Sequence, residues 1–201
     1  AALDEMQVPE PWFLLGHSMG GAIGLRAIHD GLPVRAAAFT GPMWGIQMRP
    51  LLKAVSGVVL GLSGPLGFGK SFAMTTGPYA PMTFDDNPLT TDRDQFDYMA
   101  RQMDRHPELT LGGPSNRWVH AALRECAALM AMPAPDLPAV TLVGGREKIV
   151  EPCAARRRMA TWPRGRFIEI AGAEHEVLME SPPRRAETLE AIIALFDSEA
   201  A

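Results

Sequence analysis

The sequence has 201 residues, of which 47% are hydrophobic and 21% are charged, with 19 glycines and 18 prolines. A chain of this length and composition can bury a core of ordinary size, which excludes an intrinsically disordered or a collagen-like protein. The formal net charge is −4, so there is no basic surplus for binding phosphates, and nucleic acid is not expected as a partner.

The first predicted elements are a strand, a tight turn and a helix. Residues 12–15 are a short apolar run that stops at Gly16, and residues 22–28 have the apolar spacing of a helix that ends at residues 30–33. Residues 34–40 are then typical of a second buried strand. Because one helix separates the two strands, we predict a parallel βαβ unit.

The pattern changes over residues 43–132, where no strand is predicted and helical segments are set among glycines and prolines. The first predicted helix follows Pro50, the second runs from about Asp92 to Arg105 with Thr91 as its N-cap, and the third begins near Pro114. The apolar positions that predict the first and third helices are Leu51, Leu52, Val55, Val59 and Leu62, and Trp118, Leu123, Cys126 and Met130. We interpret residues 43–132 as a helical cap inserted into an α/β domain.

The alternation of strands and helices returns after the proline-rich segment 133–138. Residues 139–143 are a predicted strand, 151–161 a helix and 167–170 a strand, and Ser181-Pro182-Pro183 opens a terminal helix. That helix carries an apolar stripe that is expected to face the core, formed by Leu189, Ile192, Ile193 and Phe196.

The turn between the first strand and the first helix carries the strongest chemical signal. It reads Gly16-His17-Ser18-Met19-Gly20, and the glycines two before and two after Ser18 are expected to leave room where backbones crowd. A serine on such a turn stands clear of the sheet as a nucleophile, and the Met19 N–H at the helix N-terminus can donate to an oxyanion. We therefore predict Ser18 as the nucleophile and the Met19 N–H as an oxyanion donor.

The same turn has a second interpretation, as a dinucleotide-binding loop. Gly16, Ser18 and Gly21 have the GxGxxG spacing with serine in the middle place. The middle glycine lets the backbone approach a pyrophosphate, and an acidic residue about 20 positions further on holds the ribose. Residues 34–45 contain no Asp or Glu, so both features disfavour nucleotide binding.

A serine nucleophile needs a base, usually a histidine that a carboxylate orients. Of the five histidines, His175 is the candidate because it follows the last predicted strand, at the edge where α/β folds gather their functional loops. Glu147 follows the strand at 139–143 in the same way and is the predicted acid. Glu151 lies close by in the sequence and is the alternative acid.

The remaining polar residues of these turns receive simpler interpretations. His17 is expected to pack beside the turn, and Glu174 and Glu176 are expected to be solvated neighbours of His175.

Several segments of the chain share their motifs with one known family. They are Leu14–Gly21, Gly144–Pro152 and Gly172–Glu176, and within the insertion Asn87–Asp92, Leu111–Pro114 and Trp118. Through them the sequence resembles the α/β-hydrolases, and among these the lysophospholipase and monoacylglycerol lipase group. The order Ser18, Glu147, His175 is the serine, acid, histidine order of that fold, although Glu147 stands where most relatives have Asp.

The resemblance implies a fold and an activity. The expected fold class is α/β, the C-terminal part of an α/β-hydrolase fold, with a parallel sheet and flanking helices formed by residues 1–42 and 133–201 around the cap at 43–132. The implied activity is hydrolysis of lipid-like carboxylic esters, lysophospholipids or monoacylglycerols, by water through an acyl-serine intermediate. No metal and no organic cofactor are required.

The resemblance also implies a departure. The turn at Gly16–Gly20 corresponds to the nucleophile elbow of that fold, and the strand before it is the elbow strand. Family members have further strands before the elbow strand, and one of their loops supplies another oxyanion N–H, whereas twelve residues precede Phe13 here. We therefore expect an N-terminally incomplete hydrolase whose early strands are absent. The alternative to an active enzyme is a catalytically inactive fragment that lacks these strands and one oxyanion donor.

Location and membrane contact follow from weaker features. Cys126 and Cys153 form no CxxC pair, which indicates neither a disulfide framework nor a zinc motif and fits the cytoplasm. The most apolar stretch, residues 51–68, is broken by Lys53, Pro65 and several glycines, so no transmembrane segment is predicted. The cap either only packs on the core or also lines an acyl pocket and rests on the inner membrane face.

Overall fold

The architecture is a parallel sheet with helices on both faces. A computed structural model describes residues 5–48, 57, 61–63, 65–73 and 76–200. Four strands pair in the order β1-β2-β3-β4, and each neighbouring pair is parallel. The strands are β1 Trp12–His17, β2 Val34–Thr40, β3 Ala139–Gly144 and β4 Gly165–Ile170. This arrangement confirms the predicted βαβ unit and the α/β fold class.

Helices accompany the strands, and five α-helices have both of their ends within the described residues. They are α1 Met19–His29, α2 Arg93–Arg105, α3 Asn116–Ala131, α4 Pro152–Ala160 and α5 Pro182–Ala200. Buried side chains of α1, α3 and α4 form one apolar cluster with the sheet, and α5 contributes Ile192 to a second cluster. Because both faces are covered, every residue of β3 is buried, as the continuous apolar run of that strand requires.

The larger apolar cluster is centred on three aromatic side chains. Trp44 lies with its ring centroid 5.0 Å from that of Phe39 and 6.4 Å from that of Trp162. Both indoles are hydrogen-bonded although buried, because Trp44 Nε1 donates to the Gly21 carbonyl and Trp162 Nε1 donates to the Leu137 carbonyl. The first contact fixes the start of α1 against the segment that leaves β2.

Two local predictions were wrong. The N-cap of α2 is Asp92, whose side chain accepts a hydrogen bond from the Gln95 N–H, and not Thr91, whose hydroxyl donates to Glu180 instead. In α5, Ile192 is buried but Ile193 is 53% exposed and Leu189 is 39% exposed. The apolar stripe of this helix is therefore wider than the surface that the sheet covers.

The inserted segment packs closely on the α/β core where it is described. The side chain of Arg26 in α1 pairs with that of Glu125 in α3 at 2.7 Å, and Cys126 of α3 lies in the same buried cluster as Leu25 of α1. Most of the helix predicted after Pro50 lies outside the described residues, and the division into core and cap stays a prediction. Among the described residues, no helix has the length and apolar character needed to cross a bilayer.

Candidate active site

Ser18 occupies the sharp turn between β1 and α1. Its backbone has φ 51° and ψ −118°, a conformation that costs an L-residue on the order of 1–3 kcal/mol and persists only where the surroundings enforce it. Three backbone hydrogen bonds do so, because Ser18 N–H donates to the Thr40 carbonyl at 3.0 Å while its own carbonyl accepts from Gly21 and Met43. The turn is thereby tied both to β2 and to the segment after it.

Two glycines of this turn stand where a side chain would collide with backbone. A Cβ at Gly16 would lie 2.9 Å from the Gly20 carbonyl oxygen, and a Cβ at Gly21 would lie 2.6 Å from Pro42 Cβ and 2.9 Å from its Cα. Around a Cβ at Gly20 there is open space. The expectation that Gly20 relieves crowding was therefore wrong, and Gly21 has that role.

Glu147 and His175 are in direct contact. Glu147 Oε2 lies 2.7 Å from His175 Nδ1, and the two side chains are 0% and 3% exposed. The other carboxylate oxygen, Oε1, accepts hydrogen bonds from the N–H groups of Ile149 at 2.7 Å and Val150 at 3.2 Å. The carboxylate is therefore fixed by the loop that follows β3, and it fixes the imidazole in turn.

These contacts determine the charge of Glu147. Burial alone raises the pKa of this carboxyl, but the hydrogen bond and charge of His175 and the two backbone N–H groups outweigh it, so the pKa is lowered. With Glu147 ionised, Nδ1 of the neutral His175 ring carries the proton, which leaves Nε2 as a proton acceptor.

The loop that carries His175 is held by the segment 87–90. His175 N–H donates to the Pro88 carbonyl at 3.3 Å and Glu176 N–H donates to the Leu89 carbonyl at 2.8 Å. The Asn87 side chain accepts from the N–H groups of Leu89 and Thr90, which shapes this segment into a turn.

Glu180 is a buried polar residue that the sequence interpretation missed. It is 0% exposed, and its carboxylate accepts from Thr91 N–H at 3.0 Å, Thr91 Oγ1 at 2.6 Å and Glu174 N–H at 2.9 Å. Ser181 N–H and Arg184 are further donors. Glu180 therefore joins Thr91 to Glu174, the residue that precedes His175. Its place just before Ser181-Pro182-Pro183, the start of α5, is the signal that could have drawn attention to it.

The two glutamates beside His175 are not the solvated residues that we expected. Glu174 is 6% exposed, with Lys148 Nζ 3.3 Å from its carboxylate. Glu176 Oε1 lies 3.1 Å from His17 Nε2. Burial raises the pKa of Glu176, but the neighbouring His17 and His175 together have the larger opposite effect, so the pKa is lowered overall. His17 packs beside the turn as predicted, with its Nδ1 3.0 Å from Thr40 Oγ1.

The nucleophile and the base candidates lie at the same edge of the sheet. The rings of His17 and His175 are 4.9 Å apart, and a Cβ at Gly41, directly after β2, would lie 3.1 Å from the His175 ring. No hydrogen bond joins the Ser18 hydroxyl to His175 among the described residues, so the role of each triad residue stays a prediction.

Met19 is the first residue of α1, and its N–H has no partner within the helix. Glu151, the alternative acid, lies at the N-cap position of α4.

The sequence matches a family of known proteins along most of its length. A family model described as "Hydrolase_4: Serine aminopeptidase, S33" matches residues 1–182. The chain is 30% identical over 202 residues to lysophospholipase L2 of Escherichia coli strain K12, covering 94% of this chain and 59% of that protein. It is 29% identical over 181 residues to probable lysophospholipase L2 of Haemophilus influenzae, covering 89% of this chain and 57% of that protein. The chain therefore spans less than two thirds of the length of these relatives.

The structure is similar to those of solved hydrolases. A monoglyceride lipase from Saccharomyces cerevisiae has a TM-score of 0.73 at 16% identity, with 100% of this chain and 65% of that chain covered. A carboxyl esterase from Bacillus coagulans has a TM-score of 0.72 at 16% identity, with 100% and 68% covered. At these identities the similarity shows a common fold.

Proposed function

Because this chain belongs to the Hydrolase_4 (serine aminopeptidase, S33) family and has the α/β-hydrolase fold, we propose that it is a serine hydrolase of lipid-like carboxylic esters. The observation that carries the proposal is the buried hydrogen bond of 2.7 Å between Glu147 and His175, at the sheet edge where Ser18 occupies a strained strand-to-helix turn. A buried, ionised carboxylate that fixes a histidine beside such a serine is the arrangement that activates a hydroxyl.

The proposed reaction has two halves. In the first, Ser18 Oγ attacks the ester carbonyl carbon as its proton passes to His175 Nε2, and Glu147 stabilises the imidazolium. The Met19 N–H donates to the resulting oxyanion. The tetrahedral intermediate then expels the alcohol, which takes the proton from His175, and leaves an acyl-serine. In the second half, His175 takes a proton from water as the water oxygen attacks the acyl carbon. The second tetrahedral intermediate then breaks its bond to Ser18 Oγ, which takes the proton from His175, and the carboxylic acid is released.

An apolar groove beside the elbow supports an acyl-chain substrate. It lies between α1 and α3, begins at Met19 next to the nucleophile, and has the Arg26 and Glu125 side chains among its lining. The apolar side chains that line it are Met19, Ala22, Ile23, Met43, Trp118, Ala121 and Ala122. Such a surface suits the acyl chain of a lysophospholipid or a monoacylglycerol, the substrate classes that the names of the similar proteins state.

Exposed apolar side chains on the inserted segment support contact with a lipid surface. They are Leu62, Leu66, Phe68, Phe72, Leu109 and Leu111, each between 47% and 85% exposed. An enzyme whose substrate is itself a membrane lipid gains access to it through such side chains, because they insert at the headgroup boundary.

Covalent labelling tests the proposal. A fluorophosphonate probe should label the protein, and both labelling and hydrolysis of lysophosphatidylcholine or monoacylglycerol should be abolished in Ser18→Ala. The matched control is Ser198→Ala, because Ser198 is exposed near the end of α5 and should leave both unchanged. Labelling that persists in Ser18→Ala would show that another residue is the nucleophile.

A further inference from the structure

A second constellation of ligand-type side chains lies beside the predicted triad. His17, His175 and Glu176 each offer one ligand atom, and the three atoms lie within 4.8 Å of one another. We propose that this cluster binds Zn²⁺, and that the bound ion inhibits hydrolysis by occupying His175. The inhibition rests on the proposed function, whereas the binding of zinc does not.

The separation of two of these atoms already suits a zinc ion. Two ligands at 2.0–2.1 Å from a tetrahedral Zn²⁺ stand about 3.4 Å from each other, and His17 Nε2 lies 3.1 Å from Glu176 Oε1. The His175 nitrogen has to approach by on the order of 1 Å to complete the site, a shift that a loop side chain can make. Two imidazoles and one carboxylate with a fourth position for water are a ligand set that Zn²⁺ accepts, while Mg²⁺ and Ca²⁺ prefer oxygen.

The Nδ1 atom of each imidazole has a partner, which leaves Nε2 as the nitrogen that can bind a metal. His17 Nδ1 lies 3.0 Å from Thr40 Oγ1, and His175 Nδ1 lies 2.7 Å from Glu147 Oε2. Metal-binding histidines generally have such a second partner, which fixes the ring and makes the free nitrogen a better ligand. Glu147, which prepares His175 as a base in the proposed reaction, prepares it equally as a zinc ligand.

The Nε2 atom of His17 is available as a metal ligand. His17 Nε2 is buried and forms no aligned hydrogen bond within the described part of the chain, although Glu176 Oε1 lies close to it. The side chains of His17 and Glu176 are 28% and 23% exposed, so the cluster lies close to solvent and a small movement of these side chains admits an ion.

Zinc binding and the proposed catalysis exclude each other. A lone pair of His175 Nε2 that is bound to Zn²⁺ cannot take the proton of Ser18, so the acyl-enzyme does not form. Removal of the ion by a chelator returns the lone pair and should restore the activity.

Calorimetric titration with ZnCl₂ tests the binding directly. The intact chain should bind one Zn²⁺, and His17→Gln and Glu176→Gln should each weaken binding at least tenfold, because each removes one of three ligands. The matched control is His106→Gln, since exposed His106 also lies 3.1 Å from a glutamate, Glu108, and no third ligand-type side chain joins them among the residues that the structure describes. This control should bind zinc like the parent protein, and MgCl₂ and CaCl₂ should give no binding to any of the proteins.

A second readout does not depend on the variants. Co²⁺ in place of Zn²⁺ should give the visible absorption of a four- or five-coordinate nitrogen and oxygen site in the intact chain. Equal zinc affinity in the parent, His17→Gln and Glu176→Gln, or an octahedral Co²⁺ spectrum, would overturn the proposal. If calorimetry shows the site but the zinc-free protein hydrolyses no ester, the proposed function fails and the zinc site stands. An active enzyme that zinc binds at this site without inhibiting would overturn the inhibitory role.

Discussion

Glu147 stays ionised although it is buried, and it also binds the imidazole of His175. Its Oε1 is bound by two backbone N–H groups and its Oε2 by His175, so the carboxylate is fully occupied although its side chain is 0% exposed. An ionised group buried without such donors would take up a proton instead. The extra methylene of Glu compared with Asp is accommodated because the loop after β3 brings its own N–H groups to the carboxylate.

Replacing Glu147 by Gln should separate orientation from substrate binding. The amide retains the shape but cannot stabilise an imidazolium, so kcat should fall by roughly 10³–10⁴ while KM stays within about twofold. The measurement is steady-state hydrolysis of a soluble nitrophenyl ester. Glu151→Gln is the matched control, four residues further on, and should retain kcat. If Glu151→Gln is the impaired variant, the acid is Glu151.

The elbow glycines allow a similarly paired experiment on stability. Gly21→Ala should lower the free energy of unfolding by about 1–3 kcal/mol, because its Cβ meets the backbone of Pro42 and one of the two segments must shift. Gly20→Ala meets open space inside α1 and should leave stability unchanged or raise it by up to about 1 kcal/mol. Urea unfolding of the two variants compares them, and equal effects would contradict the assignment of the crowded position.

At the scale of elements, the His175 loop is held by contacts with the segment 87–91, which lies between β2 and β3 in the chain. The segment 87–89 binds the backbone of the His175 loop directly, and Glu180 binds Thr91 on one side and the Glu174 N–H on the other. Burial raises the pKa of Glu180, but its hydrogen bonds from Thr91, Glu174 and Ser181 outweigh this and lower it. The segment 87–91 and the His175 loop are therefore one hydrogen-bonded unit.

We predict that Glu180→Gln affects catalysis as well as stability. The amide presents hydrogens where donors already point, so the free energy of unfolding should fall by roughly 2–4 kcal/mol. At temperatures where the variant is folded, kcat should fall at least about tenfold with KM nearly unchanged, because Glu180 acts through the position of His175. Glu190→Gln, exposed on the same helix, is the control. A stability loss with unchanged kcat would show that Glu180 does not position the base.

Sequence patterns predicted the features that depend on neighbouring residues and missed those that depend on residues far apart in the chain. Residues 34–40 form a strand with the predicted bounds because a continuous apolar run needs only local information. The roles of Glu180 and Glu176 depend on partners 89 and 159 positions away in the chain, which no spacing rule shows. The zinc cluster has the same origin, since two of its ligands lie in the His175 loop and the third lies in the elbow.

At the scale of the whole molecule, three carboxylates near the proposed site share one electrostatic property. Glu147, Glu176 and Glu180 all have a lowered pKa in the fold. Burial raises each pKa, but hydrogen bonds outweigh it for Glu147 and Glu180, and neighbouring histidines do so for Glu176 and add to the effect for Glu147. They lie where the His175 loop, the segment 87–91 and β1 meet, so their ionised forms stabilise the contacts between these parts. Protonating them weakens the tertiary structure around the site rather than one element.

Acid should therefore destabilise the protein in a defined range of pH. The unfolded chain binds protons on these carboxylates near a pKa of about 4.3, whereas the folded chain does so only at lower pH. Because the unfolded state holds more protons in between, their stabilisation is present above the unfolded pKa and is lost as pH falls through the folded values. Urea unfolding should show little change from about pH 7 to 5 and a steep decline from about pH 4.3 downwards. The decline should be shallower in Glu180→Gln and unaltered in Glu190→Gln, and a free energy of unfolding that does not change below pH 5 would contradict the role of these carboxylates.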